Sequence, residues 1–343
     1  MSTAPHPQLA REPGAALPKI GFVGVGWIGR HRMKAITDLA CSDVIGIVEP
    51  DASLARAARE LAPSAAVCSF RELLDSDIDG IVIATPSALH AEQAIAALER
   101  GISVFCQKPL ARNGAETRQV IDAARAANCL LKVDLSYRYV DGIRRIRELV
   151  SSGALGHVYS IELAFHNAYG PDKPWFYDAA LSGGGCVIDL GIHLVDLALW
   201  MLDFPCVSEV SSRLFRNGQP FIRAGGKVEV EDHAIANLSL QGDVAVQLSC
   251  SWKAHAGCDA VIQASFYGTK GGASFYNVNG SFYDFVAEHF QGTQRHTLSK
   301  PPDAWGGRAV LAWLRQLTDS SDFDSEAEHL ADIADTLDRI YRK

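Results

Sequence analysis

The chain has 343 residues, 48% hydrophobic and 21% charged, with a formal net charge of −8. That length exceeds what one hydrophobic core usually serves, so two domains are expected. The acidic balance argues against a nucleic-acid partner, whose phosphates would need clustered Lys and Arg.

In chain order, the opening MSTAPHPQLAREPGAALP carries no apolar run of secretory type and reads as a flexible tail over 1–18. From Lys19 short apolar runs alternate with helical stretches, which implies parallel βαβ units. The expected strands are Ile20–Val23, Val44–Val48, Ile81–Thr85, Ser103–Cys106 and Leu130–Leu135. The expected helices between them are Ile28–Leu39, Ser53–Leu61, Leu89–Arg100 and Gly114–Ala127. The alternation stops near Arg138. Beyond His157 strands follow one another directly, among them Val158–His166, Ala234–Leu240, Val244–Trp252 and Ala260–Tyr267. Consecutive strands joined by turns such as Gln241-Gly242-Asp243 favour an antiparallel sheet.

The expected organisation is therefore a doubly wound α/β domain over 19–138 and an α+β domain over 139–343. The second has a large, mainly antiparallel, open-faced sheet. A last helix over 325–341 is placed to pack back on the first domain. No stretch reaches the ~18 uninterrupted apolar residues of a membrane span, so no membrane partner is expected. The eight cysteines, at 41, 68, 106, 129, 186, 206, 250 and 258, form no C-x-x-C pair, and the histidines do not cluster. They read as reduced thiols of a cytoplasmic protein, with no metal site.

Gly24-Val25-Gly26-Trp27-Ile28-Gly29 follows the first strand and opens the first helix. Glycines suit the tight turn, the approach of backbone to a pyrophosphate and close helix–strand packing. Glu49, at the end of the second strand, is placed to accept from a ribose 2′-hydroxyl and to repel a 2′-phosphate. NAD is the expected cofactor, with NADP as the alternative.

Two further segments carry chemistry. Cys106-Gln107-Lys108-Pro109 ends a central strand, where ligands bind in open α/β sheets. Gly183-Gly184-Gly185 leads into an apolar helix on which Asp189, His193 and Asp196 fall at i, i+4 and i+7. Burying such groups is costly unless they pair or act. Either a structural His–Asp pair or a catalytic set fits that spacing; the glycines would let a ligand lie against the helix entrance. Alcohol oxidation needs a base for the hydroxyl proton, a carboxylate to fix the tautomer of that base, and a cation for the developing alkoxide.

With these residues in hand, the chain resembles the Gfo/Idh/MocA family of oxidoreductases. The carriers of the resemblance are the glycine fingerprint, Ala84-Thr85-Pro86 followed by His90, Lys108-Pro109, and the glycine-to-Asp-x-x-x-His helix. The family pattern implies a Rossmann domain binding the cofactor through Gly24, Gly26, Trp27, Ile28, Gly29, Glu49, Thr85, Pro86, His90, Gln107 and Lys108. It implies Lys108, Asp189 and His193 at the active site, with His193 the proton acceptor. The implied substrates are sugars, inositols or related polyols, and the implied assembly is a homodimer or homotetramer through the C-terminal sheet. Where the family has Glu before Lys-Pro, this chain has Gln107, so an altered Lys108 environment is expected.

For the substrate itself, Asn167, Tyr169, Lys173 and Trp175 mix polar groups with aromatic faces suited to a sugar ring. Arg138, at the domain junction, joins Lys108, Asp189 and His193 as a further candidate. Two other functions stay open at this point: a glycoside hydrolase or lyase using transient oxidation, and a non-catalytic nucleotide sensor.

Overall fold

The computed structural model describes residues 17–222 and 229–341; the tail expected over 1–18 lies almost wholly outside the described residues. Six strands form a parallel sheet: β1 (Lys19–Val23), β2 (Asp43–Val48), β3 (Ala66–Val67), β4 (Gly80–Ile83), β5 (Ser103–Cys106) and β6 (Leu131–Val133). Their order is β3-β2-β1-β4-β5-β6. Helices cover both faces, and β4 and β5 are buried along their whole length, which their apolar runs require. Side chains set the helix ends. Asp51 accepts from the amides of Ser53 and Leu54 to start Ala52–Leu61, and Asn113 accepts from Glu116 to start Gly114–Ala127.

Strand order reverses between β1 and β4. With right-handed crossovers, the connections on the two sides of that point run to opposite faces and leave a crevice at the C-terminal strand ends. The loops after β1, β4 and β5 open onto it. This topology brings Gly24, Thr85 and Lys108 to one place.

The second sheet has nine strands: β7 (Val158–Asn167), β8 (Val207–Arg216), β9 (Gln219–Pro220), β10 (His233–Leu240), β11 (Val244–Ser251), β12 (Ala260–Gly268), β13 (Gly272–Asn277), β14 (Phe285–Gln291) and β15 (Gln294–Ser299). Their order is β15-β14-β13-β12-β7-β11-β10-β8-β9, antiparallel throughout except for β7 beside β11. Ala234, Ala236, Leu238 and Leu240 of β10 point inward while their neighbours face out, so one side packs and the other stays open. The chain thus adopts the expected fold class, a Rossmann domain followed by a domain built on a large, mainly antiparallel sheet.

The apolar helix Ile192–Met201 lies on the inner face of that sheet, and Ala179–Met201 as a whole is long and apolar enough to cross a membrane. It is buried inside the fold instead. Its first part, Val187–Gly191, is a π-helical turn. The wider turn breaks the uniform 3.6-residue stacking that places Asp189, His193 and Asp196 on one face.

One segment departs from the expected division at residue 139. Helix Arg308–Asp319 packs onto the first sheet, where Trp313 is fully buried with its ring centroid 5.6 Å from that of Phe105. A Cβ on Gly80 would meet the Trp313 ring at 2.8 Å. Ala309, Val310, Trp313, Leu314 and Leu317 form one apolar stripe, and periodicity shows such a stripe without naming the surface that receives it. The final helix, His329–Ile340, lies beside Gly114–Ala127 through the Arg118–Asp335 and Arg125–Glu328 ion pairs.

Candidate active site

The crevice holds a cavity of about 870 Å³ that runs from the glycine loop to the start of the π turn. Each glycine of the loop answers a separate demand. Gly24 has φ +82°, and a Cβ there would stand 2.6 Å from the carbonyl oxygen of Ala84. At Gly26 a Cβ would meet nothing within 4 Å, so the backbone is bare toward the cavity. Gly29 is the packing position, since a Cβ would strike the carbonyl of Gly24. It does not line the cavity, whereas Gly24, Gly26, Trp27 and Ile28 do.

Glu49 also lines the cavity, and its carboxylate is braced by the amides of Val25 (2.9 Å) and Asp51 (3.1 Å). Each oxygen keeps a further lone pair for a hydroxyl donor. A helix N-terminus, an open glycine and a fixed carboxylate along one wall fit a dinucleotide.

Thr85, Pro86, His90, Gln107 and Lys108 line the same cavity. His90 is buried, with Nδ1 2.7 Å from the Pro109 carbonyl and Nε2 2.7 Å from that of Thr85. It ties the loop after β4 to the loop after β5. Gln107 turns away from Lys108: its amide donates to Asp134 Oδ2 at 2.5 Å, the oxygen that also takes Arg32 Nε at 2.5 Å. Gln107 and Arg32 thus share one carboxylate oxygen of Asp134, just past the end of the neighbouring strand β6.

Lys108 reaches across the domain boundary. Its Nζ donates to Asp189 Oδ1 at 2.6 Å and to the Asp189 carbonyl at 2.7 Å, and Trp252 Nε1 donates to Asp189 Oδ2 at 3.0 Å. An ammonium has three donors, so one N–H of Lys108 remains. His193 is buried between aromatic rings, 4.9 Å from Tyr137 and 6.2 Å from Phe165 by ring centroids. Burial, and then the charge of Lys108, holds its imidazole well below the ordinary 6.5. Asp189 does not fix its tautomer, which corrects the expectation from spacing: His193 Nδ1 is buried with no hydrogen-bond partner among the described residues, and Asp189 is committed to Lys108 and Trp252.

The triple glycine serves the chain itself. Cβ atoms at Gly183, Gly184 and Gly185 would strike Arg112, the Tyr341 hydroxyl and the Glu231 backbone respectively. Buried Glu231 accepts from the amides of Gly185 and Val187 and from Tyr341 Oη, seating the start of the π turn. The expected ligand approach at these glycines gives way to protein packing, with only Gly184 of the three also lining the cavity.

Of the candidate substrate residues, Lys173 and Trp175 join Lys108, Asp189 and His193 on the cavity wall. Arg138, Asn167 and Tyr169 do not line it. Arg138 is held by buried Asp196 (Nη2–Oδ1 2.5 Å) and lies over the rings of Trp200 and Phe204. Asn167 ends β7 inside the sheet, and half-exposed Tyr169 lies beside the cavity-lining Phe282, 6.1 Å away by ring centroids. Sequence reading missed Tyr137, Phe282, Tyr283 and Trp305, all of which line the cavity. Three of these lie in loops of the second domain, where no periodicity marks them.

A glycine-led dinucleotide crevice that ends at a lysine, a carboxylate and a neutral histidine defines an oxidoreductase dependent on a nicotinamide cofactor. Residues 18–135 match the model of the oxidoreductase family with an NAD-binding Rossmann fold, and 143–274 match the GFO/IDH/MocA C-terminal domain. The chain belongs to the Gfo/Idh/MocA family. It is 30% identical over 257 residues to a putative UDP-kanosamine synthase oxidoreductase subunit of Amycolatopsis mediterranei (strain S699), covering 71% of each chain. With the D-glucoside 3-dehydrogenase of Escherichia coli (strain K12) it shares 27% over 301 residues, covering 82% of this chain and 85% of that one. A levoglucosan dehydrogenase solved with NADH and levoglucosan has the same fold, with a TM-score of 0.80 and 22% identity over 95% of this chain and 97% of that one. The chain is thus an oxidoreductase whose named relatives include sugar and inositol dehydrogenases.

Proposed function

We propose that the protein oxidises a secondary alcohol of a sugar, inositol or related polyol, or reduces the matching ketone, with His193 and Lys108 acting on the reacting oxygen. The observation that carries this is the unused N–H of Lys108 in the same cavity as a neutral buried imidazole. A nicotinamide cofactor held by the glycine loop and Glu49 would supply the hydride acceptor for oxidation and the hydride donor for reduction. His193, kept neutral, accepts the hydroxyl proton, and the remaining Lys108 donor stabilises the oxygen as its negative charge grows. Asp189 positions Lys108. In reduction the same groups deliver the proton and polarise the carbonyl.

Glu49 supports NAD over NADP, since a 2′-phosphate would meet its carboxylate. The open face of the second sheet, with Tyr159, Ile235 and Tyr267 exposed, supports self-association as a dimer or tetramer. All eight cysteines are free thiols, the state that a reducing compartment such as the cytoplasm maintains. The test is a panel of sugars, inositols and their keto forms with NAD(H) and NADP(H), read by nicotinamide absorbance. Lys108→Met is expected to lower kcat by roughly 10²–10³-fold with the cofactor still bound. Unaltered turnover in that variant would remove Lys108 from the reaction.

A further inference from the structure

We infer that Tyr137 is a positioning residue whose aromatic ring, in place of a carboxylate, holds the imidazole of His193 in its working orientation. This rests on the dehydrogenase reading above and adds to it the group that orients the base. With Nδ1 unpartnered among the described residues, no hydrogen bond at that nitrogen fixes the plane of the imidazole. Rings surround it instead. Tyr137 lies 4.9 Å away by centroids at an interplanar angle of 62°, and Phe165 lies at 6.2 Å.

Tyr137 is itself braced. Phe165 at 5.9 Å, Phe285 at 6.0 Å and Trp305 at 5.3 Å pack against it. Phe285 in turn stacks on Phe275 at 4.5 Å, and Trp305 is pinned by its Nε1 donation to the Tyr283 carbonyl at 3.1 Å. Tyr137, Phe165, His193, Phe285 and Trp305 are all buried. In so close-packed a box a ring has little room to turn.

Two features of the site agree with this clamp. A carboxylate on Nδ1 would orient the imidazole but would also stabilise its charged form. Aromatic walls orient it without doing so, and His193 stays neutral. The clamp also spans the two domains. Tyr137 stands in the turn Ser136–Tyr139, just after β6 of the first sheet, whereas His193 stands on the helix Ile192–Met201 of the second domain. The contact therefore sets the base against the half of the molecule that carries the glycine loop. A displacement of about 1 Å at such a group can cost roughly a hundredfold in rate.

The experiment compares Tyr137→Leu, which removes the ring, with Tyr137→Phe, which keeps it. Two readouts are taken: the His193 ring resonances by NMR of histidine-labelled protein, and kcat on whichever of glucose, methyl glucopyranoside and myo-inositol turns over fastest with NAD. Tyr137→Leu is expected to move the His193 resonances toward those of free imidazole and to lower kcat by about a hundredfold, with NAD affinity kept. Phenylalanine at the same position is expected to rescue most of both changes. Should Tyr137→Leu not fold, Phe285→Leu replaces it. Phe285 does not line the cavity, so its effect, smaller but of the same kind, reaches His193 through Tyr137. Unmoved resonances in the folded leucine variant, or a Tyr137→Phe loss as large as that of Tyr137→Leu, overturns the inference and leaves the dehydrogenase reading standing. No NADH from any sugar or inositol of the panel above overturns that reading, and the resonances alone then decide the clamp.

Discussion

Asp189 and Asp196 lie seven residues apart on one apolar segment, and each holds a cation from the first domain. Around Asp196 the region is closed: Arg138 is bound by the carboxylate and roofed by Trp200 and Phe204, with no side open to the cavity. Around Asp189 the region is open: Lys108 keeps a donor, and both side chains line the cavity. The contrast teaches that a buried ion pair does not mark chemistry by itself. Spare donor capacity facing a cavity does.

The contrast can be broken at several points. His193→Ala should lower kcat by about 10²–10⁴-fold while cofactor binding, followed by fluorescence titration, persists. Arg138→Met should leave Asp196 buried and unpaired, costing about 3–5 kcal/mol in denaturant unfolding, with activity per folded molecule largely kept. A large activity loss with intact stability would reverse the two assignments.

A pH comparison sharpens it further. With neutral His193 as the proposed base, the acid limb of kcat/KM for oxidation should lie well below pH 6.5. Its lowered value also means that the unfolded chain binds this proton first. The stability due to keeping it neutral is full above about 6.5 and is lost as pH falls through the lowered folded value. In Lys108→Met the imidazole titration, read by NMR of labelled histidine, should move upward because the nearby positive charge is gone. No movement would place the two groups too far apart to act together. The smallest effect is expected at Glu49→Ala, which should narrow the NAD-to-NADP preference by roughly tenfold, in proportion to one lost charge–phosphate repulsion.

The nucleotide region was legible because its demands are local. A tight turn, a bare backbone and a packing contact each select glycine within six consecutive residues, and β5 and helix Gly114–Ala127 coincide with the runs that their composition marks. That Lys108, Asp189 and His193 meet at one cavity was legible, but their wiring was not. Spacing on an ideal helix paired Asp189 with His193; the π turn and the reach of Lys108 across 81 residues paired it with the lysine instead. Arg138 was misread for the same reason, since the partner that closes it lies 58 residues away. Trp305 and Tyr283 carried no signal, because a loop aromatic acquires its role only when distant strands set the loop beside the crevice.

Helix Arg308–Asp319 has a consequence for how the molecule is made. The apolar floor that receives Trp313 belongs to strands translated some two hundred residues earlier, so on the ribosome the nucleotide half must wait, with that strip wet, until the tail end of the chain arrives. A fragment cut at 138 would be an aggregation-prone remnant, and severing the chain at its midpoint would not yield two independent modules.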